Sequence, residues 1–172
     1  ISRLKTSDRF NIIEFNSNTS TLYDDYTEVN SHSIEYAQHW VKQLHANGGT
    51  EMLPALQAAF NHTVLSDHQS ERLQQIIFIT DGAVGNEKPL FNSIHQNLNS
   101  ARLFTVGIGS APNNYFMRKA ADFGRGSFTF IANTPDIQQK MGALFNHIES
   151  AYSQNIQVQW QTHAEQYPEK IS

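Results

Sequence analysis

Gln75-Ile-Ile-Phe-Ile-Thr80 is an uninterrupted apolar run, and Asp81-Gly82 follows it directly. β-Branched and aromatic residues dominate the run and none of its residues is charged, so it predicts a strand covered on both faces. Strands of this kind are typical of parallel sheets, whose crossover connections place helices on the two faces. The run therefore predicts an α/β protein.

Strands and helices are predicted to alternate on both sides of this run. Apolar spacing predicts a helix from Ser31 to Ala46, stopping at Asn47-Gly48-Gly49, and another from about Leu53 to Leu65. The connections are too long for hairpins, so the predicted fold is a doubly wound, mainly parallel sheet flanked by helices. The other predicted elements are strands at 8–15, 21–23, 102–108, 127–131 and 156–160, and helices at 90–98, 113–123 and 134–152.

Length and composition restrict the classes of protein that the chain can represent. The 172 residues suffice for one domain with a buried core, and the formal net charge of −4 argues against a nucleic-acid partner. No apolar run approaches the roughly 20 residues needed to cross a bilayer. Cysteine is absent, which excludes disulfides, thiolate metal ligands and a cysteine nucleophile.

Asp81 is the first candidate for a binding residue. In open parallel sheets, ligands bind beyond the carboxyl ends of the strands, and Asp81 follows the apolar run at that end. Gly82 would let the carboxylate point into a crevice with little steric hindrance. The plainer alternative is that Asp81 caps the next helix or bonds within its own turn, and for this feature taken alone that alternative is favoured.

The loop Gly48-Gly49-Thr50 is the second candidate. Glycines let a backbone approach a ligand closely, and the Thr50 hydroxyl is a hard oxygen suited to Mg²⁺ or Ca²⁺. The alternative is that the glycines end one helix and Thr50 caps the next. An oxygen-bearing loop, then one helix, then a strand ending in Thr80-Asp81-Gly82 together favour a site that Thr50 and Asp81 share.

Common enzyme motifs are missing from the sequence. It contains neither a Gly-x-x-x-x-Gly-Lys-Ser/Thr phosphate loop nor a Gly-x-Ser-x-Gly nucleophile elbow. A phosphoryl-transfer enzyme with Asp81 as a Mg²⁺ ligand remains an alternative, but it needs further acidic residues at neighbouring strand ends. The loop after Phe15 offers only Asn16, Ser17 and Asn18.

The order of the motifs resembles the von Willebrand factor A family, in the subgroup of inter-α-trypsin-inhibitor heavy chains and related bacterial surface proteins. The resemblance runs from about residue 3 to residue 152, which implies such a domain at 1–153. Residues 154–172 resemble the start of the β-rich region that follows in that subgroup. The matching segments are Asp8–Asn16, Gly48–Thr50, Ile79–Glu87, Thr105–Gly109 and Asn113–Ala121.

The resemblance implies a metal-ion-dependent adhesion site. Family members build it from an Asp-x-Ser-x-Ser loop after the first strand, a threonine from a second loop and an aspartate from a third. Thr50 and Asp81 match the second and third positions, and Gly48, Gly49 and Gly82 match the supporting loops. The implied cofactor is Mg²⁺, or Ca²⁺ or Mn²⁺, with a partner's carboxylate completing the shell.

One part of the family pattern has no counterpart in this sequence. No aspartate is followed by x-Ser-x-Ser, and Ile1–Lys5 resembles the end of the helix that follows that loop. By the resemblance, a strand that is central to the sheet, between the counterparts of 10–15 and 75–80, would precede residue 1. We therefore expect an N-terminally truncated domain that binds Mg²⁺ weakly or not at all and does not close a normal sheet.

These expectations together define a predicted function. The chain is predicted to be a non-enzymatic module that captures an acidic group of a protein or matrix partner through a divalent cation. The resemblance implies an extracellular, cell-surface or periplasmic location. A metal-free structural domain within a larger surface protein is the main alternative, and a Mg²⁺-dependent phosphoryl-transfer enzyme is a lesser one.

Overall fold

The computed structural model describes residues 1–45, 48–66, 73–82, 85–109 and 112–149. Its helices are α1 (Ser31–Lys42), α2 (Met52–Ser66), α3 (Glu87–Asn97), α4 (Asn114–Phe123) and α5 (Ile137–Glu149), with a 3₁₀ turn at Thr134–Asp136. Its strands are β1 (Arg9–Phe10), β2 (Ile13–Phe15), β3 (Thr19–Thr21), β4 (Thr27–Glu28), β5 (Gln75–Thr80), β6 (Arg102–Ile108) and β7 (Phe128–Ile131).

Strands β5, β6 and β7 form a parallel sheet in that order. Helices α3 and α4 connect them, as parallel neighbours require a crossover. The register pairs Thr80 with Gly107, so β5 and β6 end at the same edge of the sheet. Asp81 therefore lies at the carboxyl edge, and the parallel α/β sheet predicted from residues 75–80 is confirmed.

Side chains of this sheet alternate between two apolar cores. Phe78 and Leu103 are buried against α2, α3 and α4 on one face. Phe104 and Val106 are buried against α5 on the other face, where Leu144 completes the contact. Full burial of one such side chain contributes about 1.5–3 kcal/mol. Helices cover both faces, as predicted for a doubly wound sheet.

The remaining strands pair only with each other in the described part of the chain. Strand β1 pairs with β4 and β2 pairs with β3, both antiparallel, so the described strands form three separate sheets. Strand β2 nevertheless lies near β5, as the stacked rings of Phe15 and Phe78 show with centroids 5.2 Å apart. Helix α2 packs against both strands. Among the described strands, β2 and β5 therefore lie side by side without pairing.

Several predicted boundaries differ from the structure: β3 lies at Thr19–Thr21 where a strand is predicted at 21–23, and α3 begins at Glu87 where a helix is predicted from residue 90. For two further differences the structure shows the cause. The strand predicted at 8–15 is broken between β1 and β2, because the Asn11 side chain bonds the backbone of Ile12 and Tyr23 in place of a continuous ladder. Helix α1 ends at Lys42, well before the glycines, because the Leu44 amide already bonds the Val41 carbonyl in a tighter turn.

The predicted tail lies outside the described residues. The strand at 156–160, the Tyr152 end of the last helix and the β-rich extension at 154–172 all fall there and stay predictions. Within the described ranges, no helix combines the length and the apolar character that a membrane span requires.

Candidate functional site

Three loops meet at the carboxyl edge of the sheet: the β2–β3 turn, the segment before α2 and the turn after β5. The Gly49 amide donates to the Ser17 hydroxyl oxygen at 2.8 Å, and the Glu51 amide donates to the Asn16 carbonyl at 2.8 Å. These two bonds lie on either side of Thr50, so they hold its backbone against the β2–β3 turn.

The Thr50 side chain packs directly against the backbone of Gly82. A Cβ placed on Gly82 would lie 2.6 Å from Thr50 Oγ1 and 2.8 Å from Thr50 Cγ2, closer than real Cβ contacts. Only glycine leaves room for this approach. The structure thus brings the second-loop threonine next to the turn that carries Asp81, although the two residues are separated by a helix in the sequence.

The Asp81 carboxylate is exposed and has no hydrogen-bond partner among the described residues. Its turn is closed by Thr80 instead, whose hydroxyl oxygen accepts from the Gly82 amide at 3.1 Å. The N-cap of α3 is Asn86, so Asp81 does not cap that helix. Neither part of the plainer alternative for Asp81 is therefore realised in the described structure.

Thr50 does not act as a helix cap either. Its side chain is exposed, and no hydrogen bond joins its hydroxyl to another described residue. The glycines before it do not end α1, which stops at Lys42. Gly48 instead adopts a φ of +87° and a Cβ there would lie 2.5 Å from Ser17 Oγ, so both conformation and contact require glycine. Gly49 contributes its amide to the same contact.

Sequence reasoning missed the part that Asn16 and Ser17 play. The sequence indicates only a loop that lacks acidic groups there, whereas in the structure both residues bond the segment that carries Thr50. Their position directly after an apolar strand was the one available signal, since such loops converge at the carboxyl edge of the sheet.

The starts of α3 and α4 are also joined. The Asn113 side-chain amide donates to Glu87 Oε1 at 2.6 Å, while Asn113 Oδ1 caps α4 by accepting from the Phe116 amide.

Tyr115 and Lys119 lie one turn apart on α4, and the Lys119 ammonium is 4.8 Å from the centre of the exposed Tyr115 ring. A hydrogen bond to Tyr115 and the charge on that residue raise the pKa of Lys119, with a smaller contribution from Glu87.

Thr50 and Asp81 suit a divalent cation only as part of a ligand set. Both offer hard oxygens that are exposed and unbonded in the described structure, and Mg²⁺ is often held by one or two carboxylates while it keeps several waters. No group of three or more His, Asp or Glu side chains among the described residues could hold a metal. The residues present therefore fit a cation that takes its remaining ligands from elsewhere.

Comparison with curated proteins gives relatives across most of the chain. A von Willebrand factor A domain-containing protein of Dictyostelium discoideum is 26% identical over 158 residues, which cover 91% of this chain and 16% of that protein. Inter-α-trypsin inhibitor heavy chain H2 of Mesocricetus auratus is 24% identical over 163 residues, 90% of this chain and 17% of that protein. The chain therefore spans only about a sixth of either relative.

Solved structures share the fold of this chain. A von Willebrand factor type A protein from Catenulispora acidiphila superposes with a TM-score of 0.72 at 22% identity, covering 79% of this chain and 32% of that one. The manganese-loaded TRAP protein of Plasmodium vivax gives a TM-score of 0.54 at 18% identity, covering 76% of this chain and 54% of that one.

The sequence profile of the von Willebrand factor type A domain matches residues 1–130. The chain therefore belongs to the von Willebrand factor type A domain family.

Proposed function

We propose that this domain binds a partner protein through a divalent cation, with Thr50 and Asp81 as two of the cation's ligands. Domains of this family mediate protein interactions, and the proposal adds the metal, its ligands and the chemistry of the partner. The observation that carries it is the contact of the Thr50 side chain with Gly82, next to an Asp81 carboxylate that has no described partner.

The charges of the two ligands indicate what the cation would attract. Thr50 is neutral and Asp81 carries one negative charge, so a bound Mg²⁺ would keep a net positive charge at an exposed edge. When bound, the ion supplies Lewis-acid attraction for an anionic oxygen, and a partner's carboxylate suits an octahedral shell with open positions. Thr50 and Asp81 would hold and orient the ion, and no bond is broken.

Two proteins that share the fold lend support to a bound cation and to a membrane-associated location. One protein with the same fold is described as manganese-loaded, and another, from Bacteroides fragilis, as an aerotolerance-related membrane protein with a TM-score of 0.65 at 16% identity. We extend the metal to this chain as Mg²⁺, Ca²⁺ or Mn²⁺, and we place the domain at the cell surface or beyond it.

Paramagnetic broadening by Mn²⁺ tests the metal site in the full 172-residue chain. Broadening in ¹⁵N NMR spectra detects weak binding, and we expect a Kd on the order of 10⁻³ M or weaker, the range of weak Ca²⁺ modules. The amides of Thr50, Asp81 and Gly82 should broaden first. Asp81→Asn should abolish this, while Asp24→Asn, which removes an exposed carboxylate between β3 and β4, should leave it unchanged.

The partner chemistry is tested with a blocked Gly-Asp-Gly peptide added with Mg²⁺. Peptide-induced shifts at Asp81 that vanish with a chelator are the expected result. If Mn²⁺ broadens other surface carboxylates but not Asp81, the metal site is refuted and the metal-free structural domain is the better description. Turnover of a phosphate monoester would instead favour the phosphoryl-transfer alternative, for which the described loops supply no acidic cluster.

A further inference from the structure

We propose that Ser17 is a positioning residue for the cation site, acting through Thr50. This inference rests on the function proposed above and adds to the site a residue that touches neither the cation nor the partner. Its basis is the way in which the β2–β3 turn holds the segment before α2.

Thr50 is held by its two sequence neighbours. The Gly49 amide donates to Ser17 Oγ and the Glu51 amide donates to the Asn16 carbonyl, each at 2.8 Å. Consecutive residues of one turn therefore bind the residues before and after Thr50. With its backbone held on both sides, the Thr50 side chain is directed at Gly82.

Of the two hydrogen bonds beside Thr50, the one from Gly49 is accepted by a side chain, that of Ser17. The Asn16 bond uses a backbone carbonyl, which any residue would provide, whereas the Gly49 bond needs a hydroxyl oxygen. The close approach of Gly48 to Ser17 Oγ leaves little room for a larger side chain at position 17. Removing the hydroxyl would leave the Gly49 amide without this partner and release one of the two restraints on Thr50.

Ser17→Ala tests the inference in the full chain, with Ser20→Ala as the matched control. Ser20 is exposed on β3 of the same hairpin, where it pairs with Glu14 and not with the glycine loop. A neutral hydrogen bond corresponds to about a fivefold change in an equilibrium constant. We expect Ser17→Ala to weaken Mn²⁺ binding about fivefold, read from broadening at Asp81, and to lower the thermal midpoint by no more than about 2–4 °C. Ser20→Ala should change neither.

A double-variant cycle separates positioning from a general structural role. If Ser17 acts through Thr50, Ser17→Ala should have no further effect on Mn²⁺ affinity in a Thr50→Val background. An additive effect would overturn the inference, and so would unchanged affinity in the single variant.

Amide hydrogen exchange keeps this inference distinguishable from the proposed function. Ser17→Ala should accelerate exchange at Gly49 about fivefold and Ser20→Ala should not, whether or not metal is present. If Mn²⁺ fails to broaden Asp81 in the unaltered chain, the metal proposal fails, and the inference fails with it as a statement about a cation site. If Mn²⁺ binds but exchange at Gly49 is unaffected by Ser17→Ala, the inference alone is overturned.

Discussion

Gly82→Ala should separate cation binding from folding. The new Cβ would lie 2.6 Å from Thr50 Oγ1, whereas comfortable contacts begin at about 3.5 Å, so the Thr50 side chain must retreat by about 1 Å. Oxygen ligands of Mg²⁺ lie within a few tenths of an ångström of about 2.1 Å, so this displacement removes Thr50 from the shell. We expect Mn²⁺ affinity to fall about tenfold or more, the usual cost of disturbing a ligand's support.

The same substitution should leave the fold nearly intact. The φ of Gly82 lies outside the left-handed region, so a Cβ adds no backbone strain, and the exposed Thr50 can move into solvent. The free energy of unfolding should therefore change by no more than about 1 kcal/mol, measured by urea titration. Gly85→Ala is the matched control in the same loop, since a Cβ there meets nothing within 4 Å.

The variant pair gives a clear refutation. Mn²⁺ Kd values come from the broadening of the Asp81 amide in each variant at constant protein concentration. If Gly82→Ala binds Mn²⁺ as the unaltered chain does, or if Gly85→Ala weakens binding equally, then contact with Thr50 does not matter for the site. In a Thr50→Ala background, Gly82→Ala should cause little further loss, because the clashing Oγ1 and Cγ2 atoms are gone.

Three further predictions concern stability. Gly126→Ala should lower the free energy of unfolding by about 1–3 kcal/mol in urea titrations, since its Cβ would overlap the Leu103 carbonyl group. Gly142→Ala in α5 meets nothing and should raise that free energy by about 0.5–1 kcal/mol in the same assay. Hydrogen bonds from Arg3 hold the pKa of Glu149 below the usual 4.5, so their stabilising contribution is present above that value and is lost as pH falls through the lowered pKa. Arg3→Met should return the Glu149 pKa toward 4.5 in an NMR titration.

Local patterns predicted the elements with little error where burial was unambiguous. The strand at 102–108 has the predicted bounds, and the helix predicted at 113–123 begins one residue later, at Asn114. One error arose where a tighter backbone turn ends α1 early, and another where a side chain competes with the backbone for hydrogen bonds. Asn11 interrupts the first predicted strand in this way, and no apolar pattern records such competition.

The candidate site, too, could be predicted from the sequence only in part. Asp81 and Thr50 could be proposed from the sequence because each is an oxygen-bearing residue where parallel-sheet loops converge. The alternative that each residue caps a helix could be excluded only from the structure, because a cap is defined by the backbone amide that its side chain bonds. The bond of Ser17 to Gly49 could not be predicted, because it spans 32 positions of the sequence.

The local pattern around residues 75–80 is enough to predict a charge-free apolar strand covered on both faces, and hence that Asp81 follows a strand of a parallel sheet. These are consequences of burial and backbone hydrogen bonding that act over a few neighbouring residues. That Thr50 packs on Gly82, while the β2–β3 turn holds its backbone from the other side, follows only from how the folded elements pack. Contacts of that kind depend on how whole elements pack, and packing is fixed by the fit of distant surfaces rather than by any local pattern.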